Sequence, residues 1–269
     1  MAEIEVHELY GGEVKIDYYP KKHWYKRHGK NEFLTSMTAA TGVVDKSNVL
    51  IPWAVRVYQE YMTDGIAEIG GDSISRKVVE ALIEAGQNEH RKIKDKAADY
   101  GTQVHDFAEQ FALWKTNRAE KPAVKQGMPN EVLAGINAFI DWYTAEDITF
   151  VNSEFLVYSR KYDYVGRADM LFRKNGDDGL YLGDYKTSKG IYDDMRFQVA
   201  GYRGAYEEEH KIKLAGHAIF RFDKETGAFD EPRYFTQKDY VADLAAARHC
   251  VALKGRLKQL EKEYRNSNK

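Results

Sequence analysis

Apolar positions in the first half of the chain recur at intervals of three and four, the spacing that lines one face of a helix. Near residue 150 the period changes, and residues 150–158, 165–173 and 180–186 become short stretches rich in β-branched and aromatic side chains, which predict three strands. Asn175-Gly176-Asp177-Asp178-Gly179 supplies the turn between the second and third. Ahead of them, residues 3–19 alternate weakly around Tyr10-Gly11-Gly12-Glu13 and predict a hairpin, residues 36–42 a short capped helix ending at glycine, and Asp45 or Ser47 a cap for a helix through Pro52 in its first turn. Residues 65–75 read as a glycine-rich connection and 76–89 as a helix on Val78, Val79, Leu82 and Ile83.

The longest helix is predicted over 92–115, with Ile93, Ala97, Gly101, Val104, His105, Ala108, Phe111 and Ala112 inward. Glycine inside a helix costs about 1 kcal/mol against alanine, so Gly101 implies a close approach by another element. Residues 118–127 form a polar loop, and 129–146 a further amphipathic helix. After the three strands, the pattern predicts a helix over 196–210, a hairpin of 213–223 and 228–235 around Glu225-Thr226-Gly227, and a closing helix over 239–264 with Val241, Leu244, Val251, Leu257 and Leu260 inward. The order implies an α/β fold, a central mixed sheet flanked by helices, behind a mostly helical N-terminal extension. We divide the chain into residues 1–89, the hairpin and helical extension, and 90–269, the core with its C-terminal helix.

Composition narrows the chemistry. At 43% hydrophobic and with no long apolar run, the 269-residue chain reads as soluble, with no membrane partner; its first residues lack the order of a signal peptide, which implies the cytoplasm. One cysteine, Cys250, leaves no four-cysteine zinc or iron–sulfur site, so a metal would be held by oxygen and imidazole. Forty basic against forty-two acidic residues give no global field toward a polyanion. Local patches remain: residues 90–96, and Lys21-Lys22-His23-Trp24-Tyr25-Lys26-Arg27-His28-Gly29-Lys30, which interleaves cations with aromatics as binders of single strands do, or is a solvated loop.

The stretch 181–189, Tyr-Leu-Gly-Asp-Tyr-Lys-Thr-Ser-Lys, puts Leu182, Asp184 and Lys186 on one strand face and Tyr181, Gly183 and Tyr185 on the other. Alone it reads as a strand end with an ordinary ion pair. The tight turn also brings Asp169 beside Asp184 and Lys186. With His105 on a helix packed nearby, the set offers hard oxygen ligands and one imidazole, suited to Mg²⁺ or Mn²⁺.

Four elements in this order, Gly101-x-x-x-His105, Gly166-Arg167-Ala168-Asp169, Asp184-Tyr185-Lys186-Thr187-Ser188 and Gln198-x-x-x-Tyr202, resemble the RecB-like branch of the PD-(D/E)XK nuclease superfamily, which includes phage exonucleases and the mitochondrial genome maintenance exonuclease. Residues 36–54 are also similar to stand-alone phage members. The resemblance implies a restriction-endonuclease-like core and a metal-dependent DNA exonuclease of phage type, acting on linear single- or double-stranded ends in recombination, replication or repair, with a single-strand-binding or annealing protein as partner. It implies one or two Mg²⁺ or Mn²⁺ ions on His105, Asp169, Asp184 and the main-chain carbonyl of Tyr185. Lys186 would position or help deprotonate the water and is kept for the scissile phosphate rather than for Asp184, while Gln198 and Tyr202 would border the site and support the lysine or contact DNA. Glu154 is a further metal-site carboxylate or a helix partner, and Glu109 orients His105. DNA would meet Arg167, Lys189, Lys21, Lys22, Trp24, Lys26 and Arg27. Ala168 stands where the superfamily's name has proline, a departure the branch allows. No Gly-x-x-x-x-Gly-Lys-[Ser/Thr] run provides for ATP. A non-catalytic DNA-binding adaptor and a structure-specific endonuclease are the alternatives.

Overall fold

The computed structural model describes residues 4–71, 73–224 and 226–267, without the side chains of residues 94–99; Ala97, the basic residues Lys94 and Lys96, and Glu225 of the predicted turn therefore lie outside what is described. The N-terminal hairpin forms from β1 (Glu5–Leu9) and β2 (Val14–Tyr19), and β3 (Trp24–Arg27) extends it to an antiparallel three-stranded sheet. The basic stretch is thus a strand with a tight turn before it, not a loop, because Tyr25 alternates inward between Trp24 and Lys26 and packs with Ile16, Tyr18 and Leu34.

Six strands make the main sheet: β4 (Thr35–Ser36), β5 (Ile148–Ser159), β6 (Tyr164–Lys174), β7 (Tyr181–Thr187), β8 (Gly216–Phe222) and β9 (Arg233–Tyr234). β5 occupies one edge of β6 along its whole length, antiparallel. The other edge is divided. β4 pairs in parallel with Tyr164 and Val165 at one end, and β7 pairs antiparallel with Met170, Leu171 and Phe172 at the other. Residues 166–169 between them have no strand partner on that edge, while β7 continues in parallel with β8 as far as Thr187. The sheet forks there.

Helices cover both faces, so the fold is α/β with a mixed sheet between helical layers. On one side α4 (Glu89–Lys115) and α5 (Asn130–Ala145) bury Val104, Ala108, Phe111, Ile136 and Phe139 against Met170, Phe172, Tyr185, Phe220 and Phe222. On the other, α1 (Met37–Thr41), α6 (Asp193–His210) and α7 (Gln237–Ser267) bury Met37, Ala40, Val199, Tyr202 and Ala247 against Leu182 and Ile219. Each such large side chain contributes about 1.5–3 kcal/mol of transfer free energy. Residues before α4 are part of this body: β4 is a strand of the main sheet and Met37 sits in its core.

Several boundaries differ from the periodicity. α2 (Ser47–Ile69) runs through Gly65, where Leu82 of α3 (Arg76–Gly86) fills the space a Cβ would take, so the predicted connection at 65–75 shrinks. Since α2 begins at Ser47, Pro52 falls past its first turn. Val241 and Leu257 are exposed at 61% and 40%, and Ile93 at 37%: α7 and α4 overhang the core at those positions, where the spacing alone implied burial. No described helix is long and apolar enough to cross a membrane.

Candidate active site at the sheet fork

Continuing the β6–β7 register one rung past Met170 opposite Gly183 sets Asp169 across from Asp184. No ladder forms at that rung. Instead, Asp169 turns its carboxylate across the fork and accepts a hydrogen bond from the Tyr185 backbone N–H at 2.5 Å. Asp184 and Lys186 project from one face of β7, as strand alternation requires, and pair with each other through Oδ2 and Nζ. Lys186 is therefore not reserved for a phosphate in this arrangement: a buried carboxylate takes the nearest cation, and two residues along one strand face supplies it. Asp184 is 1% exposed.

Gly101 is where α4 meets the fork. A Cβ there would lie 1.5 Å from Thr187 Cγ2, so the close approach that the mid-helix glycine implied is made by the end of β7 itself. One turn on, His105 sets its ring edge-on to Tyr185, with Nε2 3.8 Å from Asp169 Oδ2 and Nδ1 4.0 Å from Asp106 Oδ1. Although burial opposes its charge, Asp106 and Asp169 hold the imidazole protonated, with its pKa pushed up to about 10. Burial likewise opposes the ionisation of Asp169, yet His105, Lys186 and the Tyr185 N–H keep that carboxyl below the usual range. Burial drives Asp184 and Glu154 the other way, to higher pKa, aided in both by the charge on Asp169.

Glu154 stands on β5 with φ of 48°, a left-handed conformation rare for such a residue inside a strand. The strand is already bulged just before it, where the β5–β6 register shifts between Phe150 and Asn152. Its buried carboxylate pairs with Arg167 at 2.6 Å, and Arg167 lies over the Tyr18 ring. Arg167 is accordingly engaged inside the protein rather than open to a phosphate. Glu109 is half-buried, its pKa raised by burial and held back by His105 and Arg167.

Gln198 and Tyr202 meet on α6 and wall the fork from the opposite side to His105. Gln198 Nε2 donates to the Tyr202 hydroxyl at 2.6 Å and to Thr38 Oγ1 at 3.0 Å. The Tyr202 ring lies on Gly166, where a Cβ would come within 2.1 Å of it. Both residues are buried, so they brace the site and do not reach DNA themselves. Thr38 belongs to this brace and Asp106 to the histidine; neither carries a sequence signal, one because α1 meets α6 only through the fold, the other because helical spacing separates neighbours. Lys189 is exposed just beyond β7. Lys21 and Lys22 close the turn before β3, and Arg27 pairs with Glu32 and Asp163 and donates to the Tyr158 hydroxyl.

The donors fit a hard divalent cation. Asp184 is buried, and its Oδ2 is paired with the Lys186 ammonium. Asp169, Asp184, Glu109 and Glu154 crowd one region in which burial and then the charge of Asp169 raise the pKa of the other three. His105, Asp106 and Glu109 already present ligand atoms within 4.8 Å of one another. Oxygen donors with one imidazole suit Mg²⁺ or Mn²⁺. Compared with models of protein families and with curated proteins, the chain matches none. What the site does must therefore be read from its own residues.

Proposed function

We propose that the protein is a Mg²⁺- or Mn²⁺-dependent deoxyribonuclease of the RecB-like PD-(D/E)XK kind, an exonuclease that hydrolyses linear DNA in recombination, replication or repair. The observation that carries this reading is the fork: Asp169 and Asp184 converge from adjacent strands at the point where the ladder stops, with Lys186 on one side and His105 on the other. A structural ion pair needs only one carboxylate, whereas this fork gathers an excess of them around a histidine.

Asp169 and Asp184 would hold the ion, joined by the Tyr185 carbonyl and by His105, whose proton the ion would have to displace. A bound divalent ion lowers the pKa of water and offsets charge on the phosphate. The chain's own contributions are positional and electrostatic. The Tyr185 N–H fixes the Asp169 carboxylate, Asp106 sets a negative charge 4.0 Å from His105, and the Gln198–Tyr202–Thr38 brace fixes the β6 side of the fork. Lys186, whose charge Asp184 and Asp169 favour against the effect of burial, stays an ammonium and so acts by charge rather than as a base. With Asp184 engaged by an ion, Lys186 would be free to offset negative charge on the phosphate.

Asp184→Asn and Lys186→Ala should each reduce divalent-dependent degradation of linear DNA by roughly 10²–10³-fold while the protein stays folded. Undiminished hydrolysis in both variants sinks the assignment. Parallel digestion of circular and linear substrates separates exonuclease from endonuclease. Loss of all hydrolysis from the wild type, with DNA binding indifferent to chelator, would make the protein an adaptor.

A further inference from the structure

On the outer side of β3, a groove of about 420 Å³ opens between Trp24, Phe33, Lys22, Ser36, Ala39 and Lys258. Trp24 and Phe33 are 48% and 55% exposed and meet edge to face with ring centroids 5.5 Å apart. Two large aromatic rings held at a sheet edge in water are a cost to a soluble protein unless something covers them. Cations accompany both rings. Lys22 Nζ lies 4.5 Å from the Trp24 centroid and Lys26 Nζ 6.0 Å from that of Phe33, to which Lys26 is also bridged through the backbone. The far wall is α7, whose Lys258 bonds Thr35 Oγ1 at 2.8 Å and feels the charges of Lys254 and Lys262, with Glu261 opposing. No acidic side chain lines the groove among the described residues.

The groove lies beside the residues that brace the fork. Ser36 and Ala39 line it, and Thr38 between them is the residue that bonds Gln198 and Tyr202. β4, in the same wall, is the strand that pairs with β6 just before Gly166.

We propose that this groove holds single-stranded nucleic acid, with bases stacked on Trp24 and Phe33 and phosphates at Lys22, Lys26 and Lys258, and that the strand passes Thr38 to enter the fork. The last step rests on the nuclease reading of the fork; the binding does not. Single strands are favoured over duplex because a duplex keeps its base faces stacked inside, whereas an unpaired strand can lay them on exposed rings. The alternation of cations with aromatics matches the alternation of phosphates with bases.

The test is fluorescence anisotropy of the full chain, in chelator, with a labelled 20-nucleotide oligothymidine and with a blunt duplex of the same length. The single strand should bind more tightly. Trp24→Ala and Phe33→Ala should each weaken its binding by roughly 5- to 150-fold, and Lys258→Ala should reduce the slope of log affinity against log salt by about 0.7. The three substitutions lie on exposed positions of separate segments, so misfolding of one, seen by circular dichroism, leaves the other two decisive. Equal affinity for strand and duplex, or unchanged single-strand affinity in the folded variants, overturns the proposal. If Asp184→Asn binds the oligonucleotide like the wild type while the wild type hydrolyses nothing, the groove stands and the nuclease reading falls.

Discussion

Arg203, Glu207 and His217 lie as deep in the protein as Asp184 and Lys186, yet the two clusters are built differently. Arg203 is 2% exposed, and its guanidinium donates to Glu207 at 2.9 Å, to the Leu214 carbonyl at 2.8 Å and to Gln237 at 3.1 Å, with its face over the Tyr240 ring. Glu207 in turn accepts from the Leu214 N–H and the Tyr240 hydroxyl. Lys213 Nζ also meets Glu207 at 3.4 Å, so this one acid has two cations, and His217 beside them is kept neutral. At the fork the proportion is reversed: Asp169, Asp184, Glu109 and Glu154 gather around Lys186, His105 and Arg167, and Glu154 holds a left-handed backbone. A buried cluster whose acid is fully paired locks a fold, while one left with an excess of acids is prepared for something else.

The contrast is broken most directly by removing one partner from each side. Arg203→Ala takes from Glu207 its buried cation, leaving only the exposed Lys213 at 3.4 Å, and should cost about 3–5 kcal/mol in urea unfolding. Asp184→Asn, by relieving crowded carboxylates, should stay within about 1 kcal/mol of the wild type while hydrolysis is lost. Equal destabilisation in the two variants would show that the fork is as structural as the Arg203 cluster.

The contact between α4 and β7 is the next test. Gly101→Ala drives a methyl group into Thr187 beside Lys186 and should cost about 1–3 kcal/mol as overpacking. Thr187→Ala, by removing the nearest atom, should recover part of that loss in a double-mutant cycle. Strict additivity of the two substitutions would mean that helix and strand do not press on each other there.

The smallest effect belongs to the satisfied cluster. Burial, and then the charge of Arg203, push the His217 pKa down to about 3 from its usual 6.5. A depressed histidine pKa means that the unfolded chain binds the extra proton between those values, so stability falls as pH drops below about 6.5. At pH 5.5 the loss should be about 1.4 kcal/mol relative to neutral pH. The melting temperature of His217→Phe should fall less steeply over this range, and an identical slope would show that folding does not depress the His217 pKa.

Much of the fork could be read along the chain because its features are local. Strand alternation alone set Asp184 and Lys186 on one face and Tyr185 on the other; the tight turn brought Asp169 alongside, and a glycine in mid-helix announced the contact of α4 with β7. The roles of Arg167 and Arg27 were not legible. Each is a cation in a polar stretch, and only the fold supplies Glu154 to one and Asp163 to the other. The same holds for Thr38, which reaches Gln198 across 160 residues of sequence.

The sequence by itself determined periodicity, and with it the order of most helices and strands (though not β3 and β4), the faces of β7 and the ion pair that the stretch 181–189 reads as when taken alone. Those follow from backbone geometry over a few residues. Tertiary structure alone decided that β6 divides its edge between β4 and β7, and that the aromatic and basic residues of β3 meet α7 in a groove beside the fork. The reason is physical: which charge a buried carboxylate finds, and which ring is left in water, depends on segments that pack together from opposite ends of the chain.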